Sequence, residues 1–108
     1  MATDLKNSIE DELRSDTIVI YGKGTKEQPR CGFTLETVQF FTELGYPFRV
    51  HDVLLDAEKR QALSALTNWP TLPKVFIKGK FYGDTDILGP MRESGELGKV
   101  LDEAFGRV

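Results

Sequence analysis

The spacing of apolar residues changes period along the chain, and each change marks an element. Leu5, Ile9 and Leu13 recur at helical spacing. Thr17 to Tyr21 is a β-branched apolar run of strand length. Gly22 to Arg30 is polar and rich in Gly, Lys and Pro, as a loop is. From Cys31 onward Leu35, Val38, Phe41 and Leu44 form a helical stripe, and Gly45 is a natural stop. Phe48 to Val53 reads as a second strand. Asp56 to Leu66 reads as a helix, with Asp56 as N-cap and Ala62, Leu63 and Leu66 on one face. Lys74 to Ile77 and Lys80 to Tyr82 flank Gly79 and predict an antiparallel hairpin. The segment from Ile87 to Phe105 is helical, with a break around Ser94-Gly95.

Two parallel strands joined through a helix demand a right-handed crossover. A following helix then leads into a hairpin that can extend the same sheet. The expected result is an α/β fold: a four-stranded mixed sheet flanked by helices, the thioredoxin-like architecture. At 108 residues the chain is expected to be one domain spanning positions 1–108. No repeat or linker interrupts it. The net charge of −3 argues against a general nucleic-acid binder, which is usually basic. No apolar run is long enough for a membrane span, and the polar N-terminus has neither a signal-peptide core nor the Arg-rich character of a transit peptide. A single cysteine excludes a disulfide-stapled scaffold and fits a reducing compartment. The expected location is cytoplasmic or, if a targeting segment has been removed, mitochondrial or plastid.

That cysteine, Cys31, lies in Pro29-Arg30-Cys31-Gly32-Phe33-Thr34, where loop turns to helix. Unpaired N–H groups and partial positive charge at a helix start stabilise an anion. A thiol placed there falls below the free pKa of about 8.5. Lys23, Lys26 and Arg30 precede it and are expected to favour the thiolate further. Free cysteines are often buried and inert, but the flanking Pro, Gly and basic residues favour the reactive alternative. Thr34 stands where a dithiol oxidoreductase has its resolving cysteine, so a mixed disulfide on Cys31 needs a sulfur from another molecule.

Two further motifs follow. In Asn68-Trp69-Pro70-Thr71-Leu72-Pro73 the prolines hold the chain extended before a strand. In a thioredoxin-like fold Pro73 would be the cis-proline facing the cysteine, and the Leu72 backbone could pair with an extended peptide such as glutathione. The simpler alternative is a rigid loop ending the helix. Tyr82-Gly83-Asp84-Thr85-Asp86-Ile87 opens the last helical region. Its helix start could hold a carboxylate; otherwise Asp84, Thr85 or Asp86 simply caps the helix.

Together these segments resemble the monothiol glutaredoxins of the CGFS type over nearly the whole chain. The stretch from Lys23 to Thr34 is similar to that family's Lys-Gly loop and Cys-Gly-Phe-Ser. Asn68 to Pro73 is similar to its Trp-Pro-Thr-x-Pro block, and Gly83, Asp86 and Ile87 to parts of its Gly-Gly-Cys-Asp-Ile turn. The resemblance implies a glutathione site beside a catalytic Cys31. Lys23 and Arg60 would meet the glycyl carboxylate, and the backbone of Leu72, ahead of Pro73, would pair with the cysteinyl residue. Thr85, mainly through its N–H, and Asp86 would receive the γ-glutamyl end. The resemblance also implies a [2Fe-2S] cluster shared by a homodimer, ligated by Cys31 of each protomer and two glutathione thiols. One chain supplies only one of the four thiolates such a cluster takes.

Three residues depart from the family pattern. Thr34 replaces Ser and adds a methyl beside the site. Lys74 replaces a common Gln and adds positive charge. Asp84-Thr85 replaces Gly-Cys and brings a carboxylate to the place of the γ-glutamyl carboxylate, predicting weakened or altered thiol binding. Three functions compete. One is a cluster carrier in iron-sulfur assembly and iron or redox homeostasis, handing its cluster to recipient proteins and at most a weak oxidoreductase. The second is a glutathione-dependent thiol-disulfide oxidoreductase acting through Cys31. The third is a non-catalytic binding module. His51 reads as structural or surface, and Glu93, Glu96 and Glu103 as a solvated helix face.

Overall fold

The computed structural model describes residues 3–106. In chain order its elements are α1 (Thr3–Ser15), β1 (Ile18–Gly22), α2 (Gly32–Leu44), β2 (Arg49–Asp52), α3 (Ala57–Thr67), β3 (Lys74–Ile77), β4 (Lys80–Gly83), α4 (Thr85–Ser94) and α5 (Glu96–Ala104). The strands form one four-stranded sheet in the order β2-β1-β3-β4. β1 runs parallel to β2 and antiparallel to β3, and β4 pairs antiparallel with β3. This is the mixed sheet expected. The hairpin turn at Lys78-Gly79 has positive φ at both residues, 51° and 79°, as the tight turns that match strand twist require.

Strand alternation divides the core between the two sheet faces. Ile18, Ile20, Val75 and Ile77 pack with Phe41 of α2, Leu88 of α4, and Leu97 and Leu101 of α5. On the other face Val19, Tyr21 and Phe76 pack with Ile9 of α1, Val53, and Ala62 and Leu63 of α3. Glu12 ties that second layer together. Its carboxylate accepts from Tyr21 Oη at 2.8 Å and Lys59 Nζ at 2.6 Å. His51, stacked on Tyr21, brings Nδ1 to 3.7 Å from the same carboxylate. Burial lowers the His51 pKa, and the ring packs against Tyr21 within this layer.

Two inward faces differ from the apolar stripes. Leu35 is 44% exposed, and α2 turns Thr34, Thr37 and Phe41 inward instead. Threonine is tolerated there because the Thr37 hydroxyl donates to Phe33 O at 2.9 Å and Thr34 Oγ1 accepts from Lys23 N–H at 3.1 Å. Leu66 is 55% exposed. It lies along the groove between α1 and α3, beside Ala65 and Lys6, rather than over the sheet.

The strand register places the chemistry. Gly22 pairs with Asp52, Tyr21 with Lys74, and Val75 with Gly83. The end of β1, the end of β2, the start of β3 and the end of β4 therefore share one edge of the sheet. α2, α3 and α4 all begin after strands that finish there.

Candidate thiol site

Cys31 is the N-cap of α2, with extended backbone at φ −151° and ψ 141°. It is partly exposed and disulfide-free. Its sulfur closes no capping hydrogen bond of normal geometry, yet its pKa lies below that of an ordinary thiol. The Thr34 N–H contributes most, opposed by burial; the Phe33 N–H, the Thr34 hydroxyl and the Lys23 ammonium add to the lowering. Of the three cations upstream, Lys23 contributes to lowering the Cys31 pKa. Lys26 turns away, its ammonium 3.9 Å from the centre of the Phe48 ring and bonded to Phe48 O at 3.3 Å. Arg30 acts on Asp52 instead.

The loop carrying Lys23 is closed on itself. Arg30 N–H donates to Lys23 O at 2.7 Å and Thr25 N–H to Gln28 O at 3.1 Å. Gly24 sits at φ +94°, where a Cβ would lie 2.4 Å from Gln28 O, so only glycine closes this turn. Asp52 anchors the loop from outside. Its Oδ1 accepts from Gly24 N–H at 2.9 Å and Leu54 N–H at 3.0 Å. These two donors, Leu54 first, hold the Asp52 carboxyl below its usual pKa. Sequence reasoning missed this residue, because an Asp ending a strand does not reveal that it bonds a loop 28 positions away.

A cleft of about 390 Å³ opens beside Cys31. It brings together every residue singled out for the site: Lys23, Cys31, Arg60, Leu72, Pro73, Thr85 and Asp86. Phe33, 69% exposed, together with Pro70, Thr71 and Asp84, completes the lining. The Leu72-Pro73 peptide is cis, as the fold predicts. Arg60 is steadied by Nη1 donating to Leu54 O at 3.1 Å. At the opposite wall Asp84 caps α4, its Oδ1 accepting from Asp86 N–H at 2.9 Å.

Two departures take a different form from the one expected. The added methyl of Thr34 does not crowd the cleft. Thr34 is fully buried, and its Cγ2 lies 2.8 Å from where a Gly22 Cβ would be. The missing side chain of Gly22 accommodates it. Nor does Lys74 add charge to the surface. It is 0% exposed, and its Nζ donates to Trp69 O and to Thr71 O, the latter at 3.0 Å. Burial pulls its pKa down to about 8. Lys74 thus braces from beneath the loop that carries Leu72 and Pro73.

The glutaredoxin family model matches residues 18–82, the stretch from β1 through β4. An uncharacterised monothiol glutaredoxin, ycf64-like, of Synechocystis is 39% identical over 97% of this chain and 98% of its own length. A probable monothiol glutaredoxin 2 of Rickettsia conorii is 41% identical, covering 86% of this chain and 87% of the relative. Among solved structures, reduced poplar apo GrxS14 superposes with a TM-score of 0.83 at 36% identity, over 94% of this chain and 93% of that one. With a lone activated cysteine at the start of α2, a cis-proline opposite it and these relatives, the chain belongs to the monothiol glutaredoxin family.

Proposed function

We propose that the chain binds glutathione in the Cys31 cleft and carries a [2Fe-2S] cluster as cargo between two copies of itself. The observation that carries this reading is the setting of Cys31: an activated thiol, the only one in the sequence, in a cleft lined by Lys23, Arg60 and the extended Leu72-Pro73 segment. Lys23 and Arg60 are suited to the glycyl carboxylate, the Leu72 backbone to the cysteinyl residue, and Thr85 N–H and Asp86 to the γ-glutamyl end. Among the described residues no group of three or more His, Cys, Asp or Glu side chains is placed to hold a metal ion. A cluster on Cys31 must therefore draw its other thiolates from outside the chain, and two glutathiones with a second Cys31 supply them.

Anaerobic reconstitution with iron, sulfide and glutathione tests this. Wild type is expected to give a red-brown dimer by visible absorption and sizing, and Cys31→Ser a colourless monomer. A colourless monomer from wild type refutes the carrier reading.

The lowered pKa of Cys31 supports a second reading, removal of glutathione from protein thiols. The Cys31 thiolate attacks the glutathionyl sulfur, the mixed disulfide breaks and the protein thiolate leaves. Because Thr34 has no thiol, a second glutathione thiolate must release Cys31, forming glutathione disulfide. Turnover of a glutathionylated substrate without any coloured dimer would favour this reading over the first.

A further inference from the structure

The cleft is flanked by charges of opposite sign. In the strand order β2-β1-β3-β4, Lys23 follows β1 and Arg60 belongs to α3, which follows β2. Asp84 and Asp86 follow β4 at the other side of the sheet, with Leu72 and Pro73 between the two groups. Much of the first turn of α4 is also engaged within the chain itself. Asp86 N–H donates to Asp84 Oδ1 at 2.9 Å. Ile87 and Leu88 N–H donate to Asp84 O at 3.1 and 3.0 Å. The Thr85 hydroxyl donates to Glu36 Oε1 at 2.7 Å, so it too is engaged within the chain. Gly83, buried at φ +76° with a Cβ position only 3.0 Å from Ile87 Cγ1, holds the backbone that aims Asp84 along the helix start. A carboxylate of the chain itself thus occupies the position where a helix start would receive a ligand's carboxylate.

We infer that Asp84 makes the cleft selective among thiol peptides, favouring one that offers a carboxylate to Lys23 and Arg60 and an amine, without a free carboxylate beside it, to α4. The inference rests on the thiol-cleft reading above. Its ligand class is a γ-glutamyl thiol whose α-carboxylate is amide-linked or otherwise neutralised, leaving the ammonium to Asp84 and Asp86. Two like charges at a solvent-screened contact change affinity by roughly fivefold.

Calorimetry tests it with reduced glutathione and with glutathione whose γ-glutamyl α-carboxylate is converted to the carboxamide. Wild type is expected to bind the carboxamide about fivefold more tightly. Asp84→Asn keeps the cap but removes the charge, and should bring the two ligands to near equality. Asp84→Gly also frees Asp86 N–H, and should bind free glutathione at least as tightly as the carboxamide. Equal binding of both ligands by wild type, or an unchanged preference in Asp84→Asn, overturns the selectivity while leaving the cleft reading intact. Failure of wild type and both variants to bind either ligand overturns the cleft reading and this inference with it.

Discussion

At the residue scale the reactivity of Cys31 depends on Thr34. The threonine lowers the thiol pKa through both its N–H and its hydroxyl, while its Oγ1 holds the Lys23 backbone. Thr34→Val removes the hydroxyl and keeps the volume. Its thiol is expected to titrate at higher pH than wild type, measured by iodoacetamide alkylation rate against pH; coincident profiles would assign the activation to the backbone N–H groups and Lys23. The Thr34 methyl explains Gly22 in turn. Gly22→Ala places a Cβ 2.8 Å from Cγ2, an overpacking that typically costs about 1–3 kcal/mol. Urea unfolding should show this loss in Gly22→Ala, and a smaller one when Thr34→Ser accompanies it. An equal loss in both backgrounds would place the strain elsewhere. A sequence reader sees a Gly and a Thr here; that they are one packing unit depends on α2 crossing the end of β1.

At the element scale the Asn68 to Pro73 loop is governed by Lys74. Its ammonium is buried and donates to two loop carbonyls. Burial lowers the folded-state pKa to about 8, from 10.5 for an ordinary lysine. Between those values the unfolded chain holds a proton that the folded chain has lost. Stability therefore rises with pH through this window, by up to about 3 kcal/mol and less insofar as the carbonyls favour the charged form. Relative to Lys74→Gln, wild type should gain about 1–3 kcal/mol between pH 7 and pH 10. Trp69, the only tryptophan, reports the unfolding by fluorescence from within this loop. A gap independent of pH would mean that Lys74 titrates as it does in water. The sequence marks the position as a basic residue opening a strand that adds positive charge, without saying where that charge lies. Pairing of Lys74 with Tyr21 in the sheet, under the loop, places it inside.

At the scale of the whole molecule the sheet edge does the assembling. Strand ends, three helix starts and the proline loop meet there, and residues from position 23 to position 86 line one cleft. The order of elements, the helix stops at Gly45 and Gly95, the cap at Asp56 and the tight hairpin at Gly79 are all borne out. Each depends on local preference: periodicity, capping chemistry or a positive φ that glycine accepts. The expected site residues Lys23, Cys31, Leu72, Pro73, Thr85 and Asp86 lie in short motifs around the helix starts and the proline loop, whereas Arg60 came only from the family resemblance; all seven line the one cleft. Where each side chain finally points was not legible. Lys26 lies on Phe48, Leu35 and Leu66 face solvent, Lys74 is buried, and Asp52 bonds the Lys23 loop. In each case the deciding partner or the orienting surface is distant in sequence. By itself, then, the sequence determined a four-stranded mixed fold with one thiol at a helix start. Tertiary packing decided which cation acts on that thiol, which lysine carries its charge inside, and that the α4 wall opposite Lys23 and Arg60 presents carboxylates. Charge and close packing act through space, and only the folded chain defines those distances.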